Sequence, residues 1–176
     1  SADLSSSEAV DKAFSDVISR YGRLDVVAHT MGGFAGGPKT WETDDAAWSK
    51  MMAMNVTSAF FVIRAALRHM TSARRGRIIA IGSRAAVVPA AGLSAYSASK
   101  AALNSLVETA ALETKDLGIT VNALLPSTID TAANRTWGSA EQQAKWVTPE
   151  SIAKQVLWLA SDEASYVTGV TLPVDG

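Results

Sequence analysis

Short apolar segments that alternate with amphipathic helices are the feature that most constrains the fold of this chain. Four such segments occur, LDVVAH (24–29), RIIAIGS (77–83), ITVNALLP (119–126) and VTLPVDG (170–176). Continuous apolar runs of this length are typical of parallel strands whose two faces are both buried. Because right-handed crossovers place consecutive strands side by side, the sequence predicts an α/β fold with a parallel sheet covered by helices on both faces.

Helix signals fill the stretches between these strands. Ser5 with Glu8 fits a capping box at the start of the first helix. Further helices are predicted over about 44–70, 94–117 and 149–161, where apolar residues recur at helical spacing. Elements that alternate in this way predict one domain spanning residues 1–176.

Composition and charge narrow the class of protein. Of the 176 residues, 48% are hydrophobic and 19% are charged, as in an ordinary globular domain. The formal net charge of −1 gives no basis for binding nucleic acid or an anionic membrane surface, and we predict neither partner. The absence of cysteine excludes disulfides and thiolate chemistry, and no metal site is predicted. We find no apolar run that approaches the roughly 20 residues of a membrane-spanning helix.

The run SAYSASKAAL (94–103) places Tyr96 and Lys100 four residues apart. On a helix this spacing puts both side chains on one face, one turn apart. A permanent cation beside a phenol favours the phenolate, which makes the phenol a better acid and base. Surface Tyr–Lys pairs at this spacing are common, so the pair alone does not decide between a catalytic and a solvated role.

A wider set of residues points to a family. Asn55 in MNVTSAFF, Ser83 after the second strand, and the pair Tyr96 and Lys100 resemble, in order and spacing, the catalytic set of the classical short-chain dehydrogenase/reductase family. The closing run VTGVTLPVDG also resembles that family. The resemblance implies a Rossmann-like sheet whose ligands bind outside the carboxyl ends of the strands.

The resemblance implies a role for each of these residues. Tyr96 would protonate a carbonyl oxygen in reduction, or act as the base in the reverse direction. Lys100 would assist Tyr96 and bind the nicotinamide ribose, and Ser83 would orient the substrate oxygen. Asn55 would hold a water that connects Lys100 to solvent, although a helix asparagine satisfied by backbone is the alternative. Arg84, next to Ser83, could bind an acidic substrate, face a phosphate or lie in solvent.

Other positions resemble the family's contacts to NAD or NADP. Gly32 matches the last position of the family's N-N-A-G, where this chain has HTMG. Pro126 and Thr131 in PSTIDT match P-G-x-x-x-T, which holds the nicotinamide carboxamide. Asp3 and Leu4 resemble the pair that contacts adenine.

The family's glycine-rich loop, T-G-x-x-x-G-x-G before a helix, does not occur in this sequence. The glycines of MGGFAGG (31–37) do not replace it, because Met31 stands at the first glycine position and no helix follows directly. The similarity begins where the family's third strand ends, so we expect an N-terminally truncated member without the first three strands. Weak cofactor binding is then expected, because that loop holds the pyrophosphate. The strand at 24–29 is expected at an open sheet edge.

Three functions remain open from the sequence. The first is NAD(P)-dependent carbonyl reduction or alcohol oxidation on a small substrate, in the cytoplasm, by a homodimer or homotetramer joined through helices 44–70 and 94–117. The second is a cofactor-free, non-catalytic remnant that serves as an oligomerising or binding module. The missing loop and the departures at His29, Thr30, Met31 and Ser127 favour it. The third is a cofactor-independent enzyme that uses the Tyr–Lys pair for acid–base chemistry.

Overall fold

In the computed structural model of the protein, which describes residues 2–176, four parallel strands form one sheet. The strands are β1 (Val26–His29), β2 (Gly76–Ile81), β3 (Ile119–Pro126) and β4 (Thr171–Val174). They lie in the order β1-β2-β3-β4, and each neighbouring pair is parallel. The predicted α/β class and the strand order are confirmed, and β1 lies at one edge of this sheet.

Helices connect the strands and cover both faces. They are α1 (Ser7–Tyr21), α2 (Asp45–Met52), α3 (Ser58–Ala73), α4 (Ser94–Thr114), α5 (Ala140–Gln143) and α6 (Pro149–Ala160). The predicted end of the helix at 94–117 includes a 3-10 turn, Lys115–Leu117, which follows α4. The predicted cap of α1 was wrong by one residue. The hydroxyl of Ser6, not that of Ser5, accepts the amide of Ala9.

A π-helical turn, Ala53–Thr57, joins α2 to α3 into one continuous helix, Asp45–Ala73. This helix has 29 residues, and an 18-residue window within it has a mean hydropathy of 1.2, so by length and composition alone it could cross a membrane. This finding corrects the expectation that no apolar segment approaches that length. Core helices of soluble proteins pass the same test, and α3 packs here against the sheet and α4.

The two faces of the sheet bury different residues because side chains alternate along a strand. Ile78 of β2 packs on the side of α3 and α4. Ile79 points to the other face and packs in the cluster that contains Leu159 of α6. Since all four strands are parallel, their carboxyl ends lie at the same end of the sheet. The loops that follow the strands are therefore close together.

Candidate active site

A cleft with a volume of about 730 Å³ lies at the carboxyl edge of the sheet. Its walls come from the loops after β1, β2 and β3 and from the start of α4. The lining residues are Phe34, Gly82, Ser83, Arg84, Ala85, Leu93, Tyr96, Pro126, Ser127, Thr128, Ile129, Asn134 and Trp137. Two of the predicted catalytic residues, Ser83 and Tyr96, therefore face the same cleft, as does the predicted cofactor residue Pro126.

Tyr96 lies in the first turn of α4. Its ring packs edge-on against Phe34 in the segment MGGFAGG (31–37), which follows β1, with 5.0 Å between the ring centroids. Ser83 follows β2 after one glycine, and its hydroxyl accepts a hydrogen bond from the amide of Ala85 at 3.2 Å. No described residue accepts the hydroxyl proton of Ser83, so that proton is available to a group in the cleft.

Lys100 lies one turn along α4 from Tyr96, and only 4% of its surface is exposed. Its Nζ donates a hydrogen bond to the carbonyl of Ile81, at the end of β2, at 3.1 Å. An ammonium carries three donors, so two N–H groups have no acceptor within residues 2–176. Burial lowers the pKa of Lys100 to about 8, because desolvation disfavours the charged form.

Asn55 lies in the π-helical turn and is buried. Its Oδ1 accepts the amide of Gly33 at 2.9 Å, and its Nδ2 donates to the Gly33 carbonyl and to Ser99 Oγ, each at 3.0 Å. Turns of this kind are often found at functional sites. The side chain is thus satisfied largely by backbone, as the alternative interpretation expected. Through these bonds, Asn55 holds the segment MGGFAGG (31–37) against α4.

Gly32 lies between Asn55 and Lys100. A Cβ atom at this position would lie 2.9 Å from Asn55 Oδ1 and 3.1 Å from Lys100 Nζ. The first separation is shorter than Cβ atoms tolerate, so any other residue would displace one of the two polar groups. The predicted residues Gly32, Asn55 and Lys100 therefore meet in one cluster beneath the cleft.

Thr131 follows β3 by five residues. Its hydroxyl accepts a hydrogen bond from the amide of Asn134 at 3.2 Å, which starts a short 3-10 turn, Asn134–Thr136. Its contact with a carboxamide stays a prediction.

Asp3 and Leu4 lie before α1. The carboxylate of Asp3 accepts hydrogen bonds from the hydroxyl and amide of Ser5 at 2.7 and 2.9 Å, and these bonds lower the pKa of Asp3. Leu4 packs against the small apolar cluster between α1 and α3. Their contact with adenine also stays a prediction.

Sequence reasoning missed Ser99, which is fully buried directly before Lys100. The Ser99 hydroxyl donates to the carbonyl of Tyr96 at 2.8 Å and accepts from Asn55 Nδ2. Ser99 therefore links α4 to the π-helical turn. Its position three residues after Tyr96 was the signal that could have found it.

His29 ends β1 and is buried, and its Nε2 has no hydrogen-bond partner among the residues described. Burial, and to a lesser extent the charge of Lys100, lower the pKa of His29 to about 4. The imidazole is consequently neutral near pH 7, and a role that needs a charged histidine is disfavoured.

Known proteins resemble the chain over nearly its whole length. A family model described as enoyl-(acyl carrier protein) reductase matches residues 1–176. Glucose 1-dehydrogenase 2 of Bacillus subtilis is 35% identical, and the match covers 99% of this chain and 72% of that protein. A 3-oxoacyl-(acyl-carrier-protein) reductase of Pseudomonas aeruginosa is 36% identical, with 99% and 73% covered.

Solved structures agree with these relatives. The structure of ElxO with NADP bound matches with a TM-score of 0.94 at 27% identity, over 99% of this chain and 75% of that chain. NAD+-bound xylitol dehydrogenase matches with a TM-score of 0.91 at 28% identity, over 99% and 76%. By sequence and by fold, the chain belongs to the short-chain dehydrogenase/reductase family of NAD(P)-dependent oxidoreductases.

Proposed function

We propose that this chain interconverts a carbonyl and an alcohol on a small molecule with a nicotinamide cofactor, and that Tyr96 transfers the proton. The observation that carries the proposal is the buried Lys100 ammonium, one turn from Tyr96 and held by the Ile81 carbonyl. A solvated Tyr–Lys pair would expose its lysine. A non-catalytic binding module would have no reason to keep a cation in its interior, where desolvation is costly.

The residues around Lys100 fit a nicotinamide cofactor. The two unpaired N–H groups of Lys100 suit neighbouring ribose hydroxyls, and the missing side chain at Gly32 leaves room beside them. When bound, the nicotinamide supplies or accepts the hydride. The other cofactor contacts that we propose are Pro126, Thr131, Asp3 and Leu4.

The proton is handled by residues of the chain. Ser83 and Tyr96 line one cleft, so their hydroxyls would both donate to the substrate carbonyl oxygen. As negative charge develops on that oxygen, Tyr96 gives up its proton, and the Lys100 cation stabilises the phenolate that remains. Asn55 and Ser99 hold the start of α4 in place, and Asn55 is proposed to hold the water through which Lys100 exchanges protons with solvent.

A homodimer or homotetramer through helices 44–70 and 94–117 is also part of the proposal. A groove between α3 and α4 supports it, and its lining combines apolar residues such as Phe60, Ile63 and Leu106 with the charged residues Arg64, Arg68 and Glu113. An exposed groove of this kind on two long helices suits pairing with a second copy. We place the enzyme in the cytoplasm, with access to cellular NAD(P).

Consumption of NADH or NADPH with a panel of small ketones and aldehydes tests the function. Tyr96→Phe keeps the ring and its packing on Phe34 while removing the proton, so activity should fall by about a thousandfold or more. Tyr166→Phe is the matched control, because Tyr166 is fully exposed. Equal activity in Tyr96→Phe and the control would rule out the proposed role. Turnover without NADH or NADPH would favour the third function considered from the sequence, a cofactor-independent enzyme that uses the Tyr–Lys pair for acid–base chemistry.

A further inference from the structure

We infer that Arg84 binds a carboxylate of the substrate, so that the substrate is a short oxo acid or hydroxy acid rather than a neutral carbonyl compound. The inference rests on the proposed function and names the substrate class for the same cleft.

Arg84 lies at the wall of the cleft beside the proposed orienting serine. Of the lining residues described above, Arg84 is the one with a charged side chain, and none is acidic. Phe34, Leu93 and Trp137 make much of the remaining wall apolar. An anion that enters such a cleft needs a paired cation, because an unpaired charge is costly away from water.

The guanidinium of Arg84 is only partly used by the protein. Nη1 donates to the carboxylate of Asp175, which directly follows β4. The Nε of Arg84 is buried and has no partner among residues 2–176. Nη2 also has no hydrogen-bond partner among residues 2–176 and, unlike Nε, it is exposed, so it is the donor that a carboxylate in the cleft can reach.

Stabilisation through the ion pair with Asp175 does not by itself explain why an arginine stands at the wall of the cleft. The side chains of Arg84 and Asp175 are 34% and 52% exposed, and ion pairs with such exposure contribute little stability. Asp175 instead holds the guanidinium at the wall of the cleft by one nitrogen. An anionic ligand can then bind Nη2 without displacing Asp175.

Arg84 and Ser83 are adjacent in the sequence and line the same cleft, so one molecule can contact both. A carboxylate bound at Arg84 and a carbonyl oxygen bound at Ser83 would then belong to one small oxo acid.

The test compares kcat/KM for a short 3-oxo acid with kcat/KM for its methyl ester, and the measured quantity is the acid-to-ester ratio. Arg84→Gln should lower this ratio about tenfold or more, because a charge-assisted bond to the acid is lost. Asp175→Asn should raise the ratio, since the guanidinium then faces no competing carboxylate. Arg135→Gln is the matched control, because Arg135 is paired with Asp130 at 2.7 Å and does not line the cleft.

An unchanged ratio in Arg84→Gln, with activity on both compounds lost in Tyr96→Phe, would overturn the inference and leave the proposed function standing. If neither compound is turned over, binding of the acid is measured directly by titration calorimetry, and the proposed function is tested separately with the panel of ketones and aldehydes. Acid binding that weakens in Arg84→Gln and not in Arg135→Gln would then still support the site. Equal binding by both variants would overturn it.

Discussion

Replacing Lys100 with methionine is expected to stabilise the folded chain at neutral pH while removing its activity. Lys100 is 4% exposed, and its ammonium is charged near pH 7. The protein therefore keeps a desolvated cation in its interior, and methionine, of similar length and apolar, would remove that cost.

The size of the effect follows from the pKa of Lys100. Burial lowers this pKa from 10.5 to about 8. At 1.36 kcal/mol per pKa unit, the charged form is disfavoured in the folded state by about 3 kcal/mol. The variant also loses the hydrogen bond to the Ile81 carbonyl, which costs about 1 kcal/mol. The free energy of unfolding at neutral pH should therefore rise by about 2 kcal/mol.

The pH dependence gives the prediction its signature. Because the folded-state pKa is lower, the folded chain loses the Lys100 proton near pH 8, whereas the unfolded chain keeps it up to about pH 10.5. Between these two pH values the free energy of unfolding of the unsubstituted chain therefore rises with pH. The variant has no Lys100 to titrate and lacks this rise. The advantage of Lys100→Met should shrink by roughly 2 kcal/mol between about pH 7 and about pH 10.

Urea unfolding followed by circular dichroism, without cofactor, measures both quantities. Lys154→Met is the control, because Lys154 is exposed on α6 and should show no such pH-dependent difference. A Lys100→Met variant that is less stable at neutral pH, or whose advantage is the same at both pH values, would refute the reasoning.

Three other substitutions test the cluster and the assembly. Gly32→Ala should lower kcat/KM by about a hundredfold, since the added Cβ would displace Asn55 or Lys100. An unchanged kcat/KM in steady-state kinetics would contradict this. Asn55→Ala should lower the free energy of unfolding by about 2 kcal/mol, because both backbone groups of Gly33 lose their partner; an unchanged urea midpoint would contradict this. Phe60→Glu should convert a dimer to monomers in analytical ultracentrifugation, whereas an unchanged mass would exclude the groove between α3 and α4 as the interface.

Much of the fold was predictable because the elements carry strong local signals. The apolar run at 119–126 became β3 residue for residue. Weaker signals gave errors of detail. Three consecutive serines, at 5–7, offer equivalent caps, and only the structure shows that Ser6 is used. The π-helical turn at Ala53–Thr57, which adds one residue to a helical turn, was not predicted from the sequence.

The site was predictable where its residues are close in sequence. The spacing of Tyr96 and Lys100 predicts one turn of a helix between them, and both residues lie on α4. Contacts between distant segments were beyond reach. Asp175 meets Arg84 across 91 positions, because β4 ends at the same sheet edge as β2. The orphaned Nε of Arg84 likewise depends on side-chain packing that sequence spacing does not encode.

We propose that the cluster around Lys100 and the cleft together form one nicotinamide and substrate site. Nuclear magnetic resonance of the isotope-labelled chain, titrated with NADH and NADPH up to millimolar concentration, tests it most directly. We expect saturable shifts of the amide signals of Gly33, Ser83 and Lys100, with the signal of Leu157, on the exposed side of α6, unaffected. Shifts that gather elsewhere, or no shifts at all, would contradict it.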